Sequence, residues 1–568
     1  MSPDRAPRRP AALLRAVLVA GAVAVSTTVP VTAAAAAGEP GGTPVVGRLV
    51  QAWAEEGPGE HDHDSGAAAP LSWVETEDGA VRVPTEDLSG VPVGATVELT
   101  VGDDVRDAGT VEHGLAPAQE VLATGSVTPP AAVPPVRGPV TNQVTVVLVA
   151  PAGTDPDAGV TAQDVVAPLE GAVSDFWSEQ TGGAVRFGVA GARDWIRTTA
   201  GCADPTALWD EAAAAVGFEA GPGRHLLLYL SSGTAAQAGC SYALAEVGAA
   251  PSSGGRLYVR DALPSIIAHE LGHNLGLAHS SGLQCDGTLE AGECRTAGYR
   301  DLYDVMGASW RQLGSLSAPQ AALLGVLPAG STLDLGVHDA PAEVVLAPLG
   351  GRTGTRALRL VDAEGTAYWL EYRSATGRDA WLGRPAENRY RLEPGVLLRR
   401  VASFPDTSVL LDGTPSAAAG WDADRQAALP VGVPLALSGG DFTVTVTSLA
   451  DGGAALSVVP TAPVPAGSAA PQAPRDPGTG RLLPGTRAGS ARDAVAGTAD
   501  DLTAAGTEQA PAAMPWTPPA GDVVATGASL EPASGSLPTG GLLVALAGAA
   551  LAGATTLLVR RARRLRGR

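Results

Sequence analysis

The chain has 568 residues, too many for one compact core, and a prior of roughly 100 to 200 residues per domain divides it into about three folded units plus tails. No lysine occurs, so all 38 basic residues are arginine, against 59 acidic ones, and the formal net charge is -21. This balance excludes a nucleic-acid partner, because phosphate binding needs a basic face that the composition does not supply; it suits a soluble secreted surface.

Residues 1–38 have the three parts of an export signal: Arg5, Arg8, Arg9 and Arg15, the apolar run Ala16 to Val25, and small residues through Ala33 to Ala37. Residues 39–137 follow as a β-rich amino-terminal region without cysteine, with "SWVETEDGAVRVP" and "ATVELTVGDD" as strand signals, closed by the Pro-rich break "TPPAAVPPVRGP". Within it, His61 and His63 of "EHDHDS" sit among charges in a Gly-rich stretch and read as a solvated loop rather than a second metal site.

From 138 to 330 the periodicities alternate. "NQVTVVLVAP" reads as a buried strand, and "TAQDVVAPLEGAVSDFWSEQTGG" as an amphipathic helix opened by Thr161 and closed by Gly182 and Gly183. "AVRFGVA", "HLLLYLSS", "SYALAEVG" and "RLYVR" follow as strands, so this is an α/β domain. "DPDAG" at Asp155 to Gly159 is an ordinary turn composition and gives a calcium ion (Ca2+) no support.

The next helix carries "AHELGHNLGLAH", Ala268 to His279, which holds three of the chain's eight histidines. Residues four apart share a helix face, so His269 and His273 can offer two imidazole nitrogens to one metal ion while Ile267, Leu271 and Leu275 face the core. Glu270 points about 100° away and can reach a metal-bound water without being a ligand. Gly276 can adopt the left-handed conformation that stops the helix, which lets His279 return as third ligand. Three neutral histidines leave one position of a tetrahedral zinc (Zn2+) open, and Glu270 then serves as proton carrier in peptide-bond hydrolysis. A chance pattern of this kind arises on the order of 10⁻⁵ per chain, which sets aside ordinary helix histidines.

In these residues the chain resembles the metzincin metalloproteases, whose signature His-Glu-x-x-His-x-x-Gly-x-x-His is matched at every fixed position. The resemblance implies a twisted sheet with the zinc-site helix and a downstream methionine turn, and "YDVMG" at Tyr303 to Gly307 places Met306 there. "GYRDLYDVMG" looks most like the gametolysin-type peptidases, a branch that includes enzymes acting on extracellular glycoproteins; the match covers about Val140 to Pro328. Some metzincins have a Tyr two residues after the Met that binds zinc or the oxyanion; here that position is Ala308, so Tyr299, Tyr303 or zinc alone remain open for the role and it is assigned to no residue. The same resemblance puts Ser241 to Gly248 at the sheet edge beside the cleft, with Tyr242, Leu244 and Glu246 along an extended substrate. It also makes 39–137 either a propeptide or a permanent accessory domain. Lacking a cysteine, that region cannot hold the zinc with a thiol.

Cys202, Cys240, Cys285 and Cys294 all fall in this domain of an exported chain and read as disulfides, of which three pairings are possible. Cys285 with Cys294 and Cys202 with Cys240 are favoured, the first tying the loop between the third His and the Met turn. Residues 331–461 switch to short strands, "TAYWLEYR", "GVLLRRV", "TSVLLDG", "PLALSGG", "DFTVTVTSL" and "AALSVVP", which suggest an all-β sandwich-like domain. Residues 462–536 are Pro, Ala, Gly, Thr and Ser with few large apolar side chains, a stalk. In 537–568, "LPTGG" precedes the apolar Gly541 to Val559 and six arginines; the order resembles a cell-wall sorting signal read by a sortase, one residue short of Leu-Pro-any-Thr-Gly. With or without sortase cleavage, the apolar run is expected to hold the protein at the membrane.

The expectation is a surface-anchored zinc endopeptidase acting on extracellular proteins or glycoproteins. Its rival is a surface adhesin with a non-catalytic metzincin-like scaffold, against which an intact Glu270 counts.

Overall fold

The computed structural model describes residues 41–57, 70–308, 312–328, 330–402 and 406–461. Contacts divide the chain into a unit from Met1 to Pro471 and another from Gln472 to Arg568, and the described residues all belong to the first. The export signal, His61 and His63, the stalk and the anchor lie outside the described residues. Among the described residues, no helix is long and apolar enough to cross a membrane.

The amino-terminal region is built from β1 (Thr43–Glu55), β2 (Leu71–Thr76), β3 (Gly79–Val83), β4 (Thr96–Val105), the short α1 (Ala108–Glu112) and β5 (Ala118–Thr128). The central region adds β6 (Asn142–Ala150), α2 (Ala162–Pro168), α3 (Ser174–Gln180), β7 (Phe187–Arg197), α4 (Pro205–Val216) and β8 (Arg224–Leu230). After these come β9 (Ala243–Glu246), β10 (Gly255–Val259) and α5 (Pro264–Asn274). All ten strands join one sheet in the order β3-β2-β1-β9-β10-β8-β6-β7, with β4 and β5 branching from β1. Strands β6, β7, β8 and β10 pair in parallel, whereas β9 runs antiparallel to both β10 and β1.

Helices cover both faces of this sheet. Phe176, Trp177, Ile267, Leu271 and Leu275 bury one face against Val144, Val146 and Leu257, and Leu208, Trp209 and Ala212 of α4 bury the other. The single helix expected from Thr161 to Gly183 is instead two: Asp164 accepts a hydrogen bond from the Thr161 backbone N–H at 2.8 Å to open the first, and the chain kinks at Gly171 between them. Pro168 lacks the N–H that an uninterrupted helix would use, which favours the break.

The remaining elements are β11 (His279–Cys285), β12 (Cys294–Ala297), α6 (Ala318–Leu323), β13 (Thr332–Gly336), β14 (Ala342–Leu346), β15 (Ala357–Val361) and β16 (Ala367–Arg373). Then follow β17 (Gly395–Arg400), β18 (Asp406–Leu411), β19 (Leu435–Leu437), β20 (Phe442–Ala450) and β21 (Gly453–Pro460). A seven-stranded sheet, β12-β11-β18-β17-β16-β15-β13, packs on a four-stranded one, β14-β21-β20-β19, through Leu358, Leu370 and Leu398 against Phe442, Val444 and Leu456. The larger sheet draws on both sides of residue 330, because β11 and β12 precede it and β11 pairs in parallel with β18. The chain is thus mixed α/β, mostly β, with several sheets and few helices. Disulfides join Cys202 to Cys240 and Cys285 to Cys294.

Candidate active site

Helix α5 starts at Pro264, whose missing N–H costs nothing in a first turn, and ends where Gly276 takes φ +97°. The chain then reverses into β11, whose first residue is His279. The three imidazoles meet, with ring centroids 4.8 Å apart for His269 and His273, 4.9 Å for His273 and His279, and 5.5 Å for His269 and His279.

Backbone carbonyls orient two of the rings. His269 Nδ1 lies 2.7 Å from the Val305 carbonyl and His273 Nδ1 lies 2.8 Å from that of Leu277, so each Nδ1 is the donor and each Nε2 carries its lone pair inward. Val305 belongs to the Met turn. Met306 is fully buried beneath α5, its backbone N–H donating to Asp304 at 2.8 Å and its carbonyl accepting from Ser280 N–H at 2.8 Å. A Cβ on Gly272 would lie 2.4 Å from the Met306 sulfur, so the glycine within the histidine motif is what lets the methionine approach.

A fourth group completes the cluster, and it comes from the amino-terminal region. Glu55, the last residue of β1, places Oε1 3.1 Å from His279 Nε2, 3.3 Å from His273 Nε2 and 3.6 Å from His269 Nε2. The donor atoms of Glu55, His269, His273 and His279 all lie within 4.8 Å of one another. Lone pairs of two oriented imidazoles and a carboxylate facing one point repel unless a cation or protons stand between them, and this buried His3Glu group could hold a metal ion.

Burial pushes His273 down to about 3, which keeps it a neutral ligand at ordinary pH. Glu270 is fully buried, and among the described residues neither of its carboxylate oxygens has a hydrogen-bond partner. Burial, then the Glu55 charge, raise its pKa well above the usual carboxylate value. Beside it is a cavity of about 20 Å³, lined by Glu55, His269, Glu270, Tyr299 and Ala308 among others, with room for one water-sized group.

The two tyrosines left open by the sequence separate here. Tyr303 is buried elsewhere and donates its hydroxyl to the Glu393 carbonyl at 2.9 Å. Tyr299 takes φ +58°, its ring lies 4.0 Å from that of His279, and its hydroxyl is near the Glu55 carboxylate. Burial, then the Glu55 charge, raise that hydroxyl well above its ordinary pKa, so it stays a donor.

The strand expected at the sheet edge is placed differently. Its neighbours are β10 on one side and β1 on the other, with Ala52 opposite Glu246 and Glu55 opposite Ala243. Leu244 packs into the α4 face of the core, Glu246 is tied to Arg256, and the Tyr242 hydroxyl donates to Asp261 at 3.3 Å. Sequence reading missed Glu55 because one carboxylate among 59 acidic residues, more than 200 positions from the histidines, carries no local signal.

No family model and no curated protein matches the chain. Among solved structures, it is similar to a chaperone–substrate complex at 10% identity over 44% of this chain, of which it spans 32%, with a TM-score of 0.19. It is similar also to OgpA from Akkermansia muciniphila, in a catalytically inactive form with an O-glycopeptide (glycodrosocin) substrate, at 13% identity over 42% of this chain and 73% of that one, TM-score 0.21. Wild-type OgpA from the same organism gives 15% identity, the same coverage and TM-score 0.21. Likeness at this level carries no weight for fold or activity.

Proposed function

We propose that the chain is an exported zinc-dependent endopeptidase of metzincin type that hydrolyses extracellular proteins or glycoproteins. One observation carries this reading: three imidazoles converge on a point beside a buried carboxylate, Glu270, that has no hydrogen-bond partner among the described residues. His269, His273 and His279 are the zinc ligands, a donor set that suits zinc and leaves a coordination position for chemistry. When bound there, the ion supplies Lewis-acid polarisation of the scissile carbonyl and lowers the pKa of attacking water.

The chain's own residues do the rest. Glu270 accepts the proton of the attacking water and returns it to the leaving amine. Tyr299, still protonated, would donate to the oxyanion. With β1 withdrawn from it, the β9 backbone would supply main-chain hydrogen bonds to an extended peptide. The two disulfides favour an oxidising, extracellular setting, in keeping with the export signal and the carboxy-terminal anchor read from the sequence. The surface-anchored location is part of the same proposal.

The test is a mixed peptide library incubated with the zinc-loaded chain, intact and after proteolytic nicking of its amino-terminal region, with and without a chelator. Chelator-sensitive cleavage by the nicked chain is expected. A nicked chain that holds zinc and cuts nothing contradicts the reading.

A further inference from the structure

A peptidase site must admit a peptide, yet here Glu270 and His273 are fully buried and His269, His279 and Glu55 are no more than 6% exposed. The covering element is β1. It pairs antiparallel with β9 from Ala52 opposite Glu246 to Glu55 opposite Ala243, and the Tyr242 N–H donates to the Glu55 carbonyl and the Val247 N–H to the Gln51 carbonyl, both at 2.8 Å. These are the backbone groups an extended substrate would need. The fully buried ring of Trp53 lies 4.3 Å from that of His279 and 6.1 Å from that of His273, filling the space over the ligands.

We propose that β1 is an internal occupant of the substrate cleft and that Glu55 takes the fourth metal position, so that the amino-terminal region holds the peptidase latent. This rests on the peptidase reading above. A carboxylate oxygen at a point shared by three Nε2 atoms stands where attacking water must bind, and an ion with four protein ligands has no open position for it. A carboxylate thus performs the blocking that the absent cysteine cannot. The amino-terminal strands are fastened away from the metal as well: Arg256, on β10, pairs with Glu246 of β9 and with Glu75 of β2, and Glu75 pairs in turn with Arg48 of β1. Release of β1 would free the β9 backbone and the fourth position together.

The test uses the intact chain, loaded with zinc or with cobalt as a spectroscopic substitute, and acetohydroxamate as a small metal-binding probe. In the wild type the probe should leave the cobalt spectrum unchanged. In Glu55→Gln, and separately in Glu55→Ala, one metal should remain and the probe should bind and shift the spectrum. Peptide hydrolysis should rise at least ~10-fold in Trp53→Ala/Glu55→Ala, as the competent fraction grows, and vanish when Glu270→Ala is added. Probe binding equal in the wild type and both Glu55 variants overturns the proposal, as does loss of the metal from both variants, which would make Glu55 a structural ligand. Variants that admit the probe yet cut no peptide leave the Glu55 assignment standing and refute the peptidase reading. A wild type that takes up no metal overturns both.

Discussion

His225 shows how a single side chain ties helix α5 to the sheet. Its two ring nitrogens lie 2.9 Å from Asn274 Oδ1, next to ligand His273, and 2.9 Å from Asn142 Oδ1 on β6. Asn274 also donates to the Glu246 carbonyl at 2.8 Å, so helix and β9 meet at one residue. Burial pushes His225 down to about 4 from an ordinary value near 6.5. The unfolded chain therefore binds more protons than the folded one between those values, so the contribution is complete above pH 6.5 and is lost as pH falls towards 4. It amounts to ~3 kcal/mol. Denaturant unfolding of the metal-free chain at pH 7 and pH 4.5 should show a steeper acid loss in the wild type than in His225→Gln, and equal losses would contradict the assignment. At this scale the sequence was legible where spacing is local: the three histidines and Glu270 lie within eleven residues. Glu55 was not legible as a site group and Tyr299 could not be told from Tyr303, because strand pairing and a positive φ decide what reaches the site.

Among the elements, α5 and the Met turn depend on each other. Alanine is the better helix former by ~1 kcal/mol, so Gly272→Ala would stabilise an isolated helix. Here the added Cβ would sit 2.4 Å from the Met306 sulfur and 3.4 Å from Trp177, and overpacking of this kind costs ~1 to 3 kcal/mol. A net loss of thermal stability is expected. A double-mutant cycle with Met306→Ala should show a coupling of ~1 kcal/mol or more, and strict additivity would mean the contact does not govern the glycine. Strand and helix types in this region were readable from alternation and period. The break at Gly171 and the covered side of β9 were not, since one depends on a local kink and the other on a strand nearly 200 residues away.

For the molecule as a whole, the sandwich is a support for the Met turn. Arg373 donates to the Ser315 carbonyl at 2.6 Å and to Glu371 at 2.9 Å; Arg399 donates to Glu371 at 3.0 Å and pairs with Asp301, all of these side chains being fully buried. Glu371 also accepts from the Ala318 N–H at 2.6 Å, joining β16 to α6. The short strands of this region were legible, but not that β11 would leave the zinc site and enter their sheet, because parallel pairing with β18 is a long-range choice. Arg399→Leu leaves Asp301 and Glu371 short of a buried cation and should cost ~3 to 5 kcal/mol. It should also weaken zinc retention against a chelator. A variant as stable and as zinc-retentive as the wild type would show that the sandwich does not brace the site.

The central claim is that this site hydrolyses peptides with Glu270 as proton carrier. Zinc content and hydrolysis measured side by side on the opened chain, with and without Glu270→Ala, test it most directly. One zinc should remain while hydrolysis falls by ~10² to 10⁴, whereas His273→Ala should lower both together. Hydrolysis that survives in the Glu270→Ala chain would contradict the account.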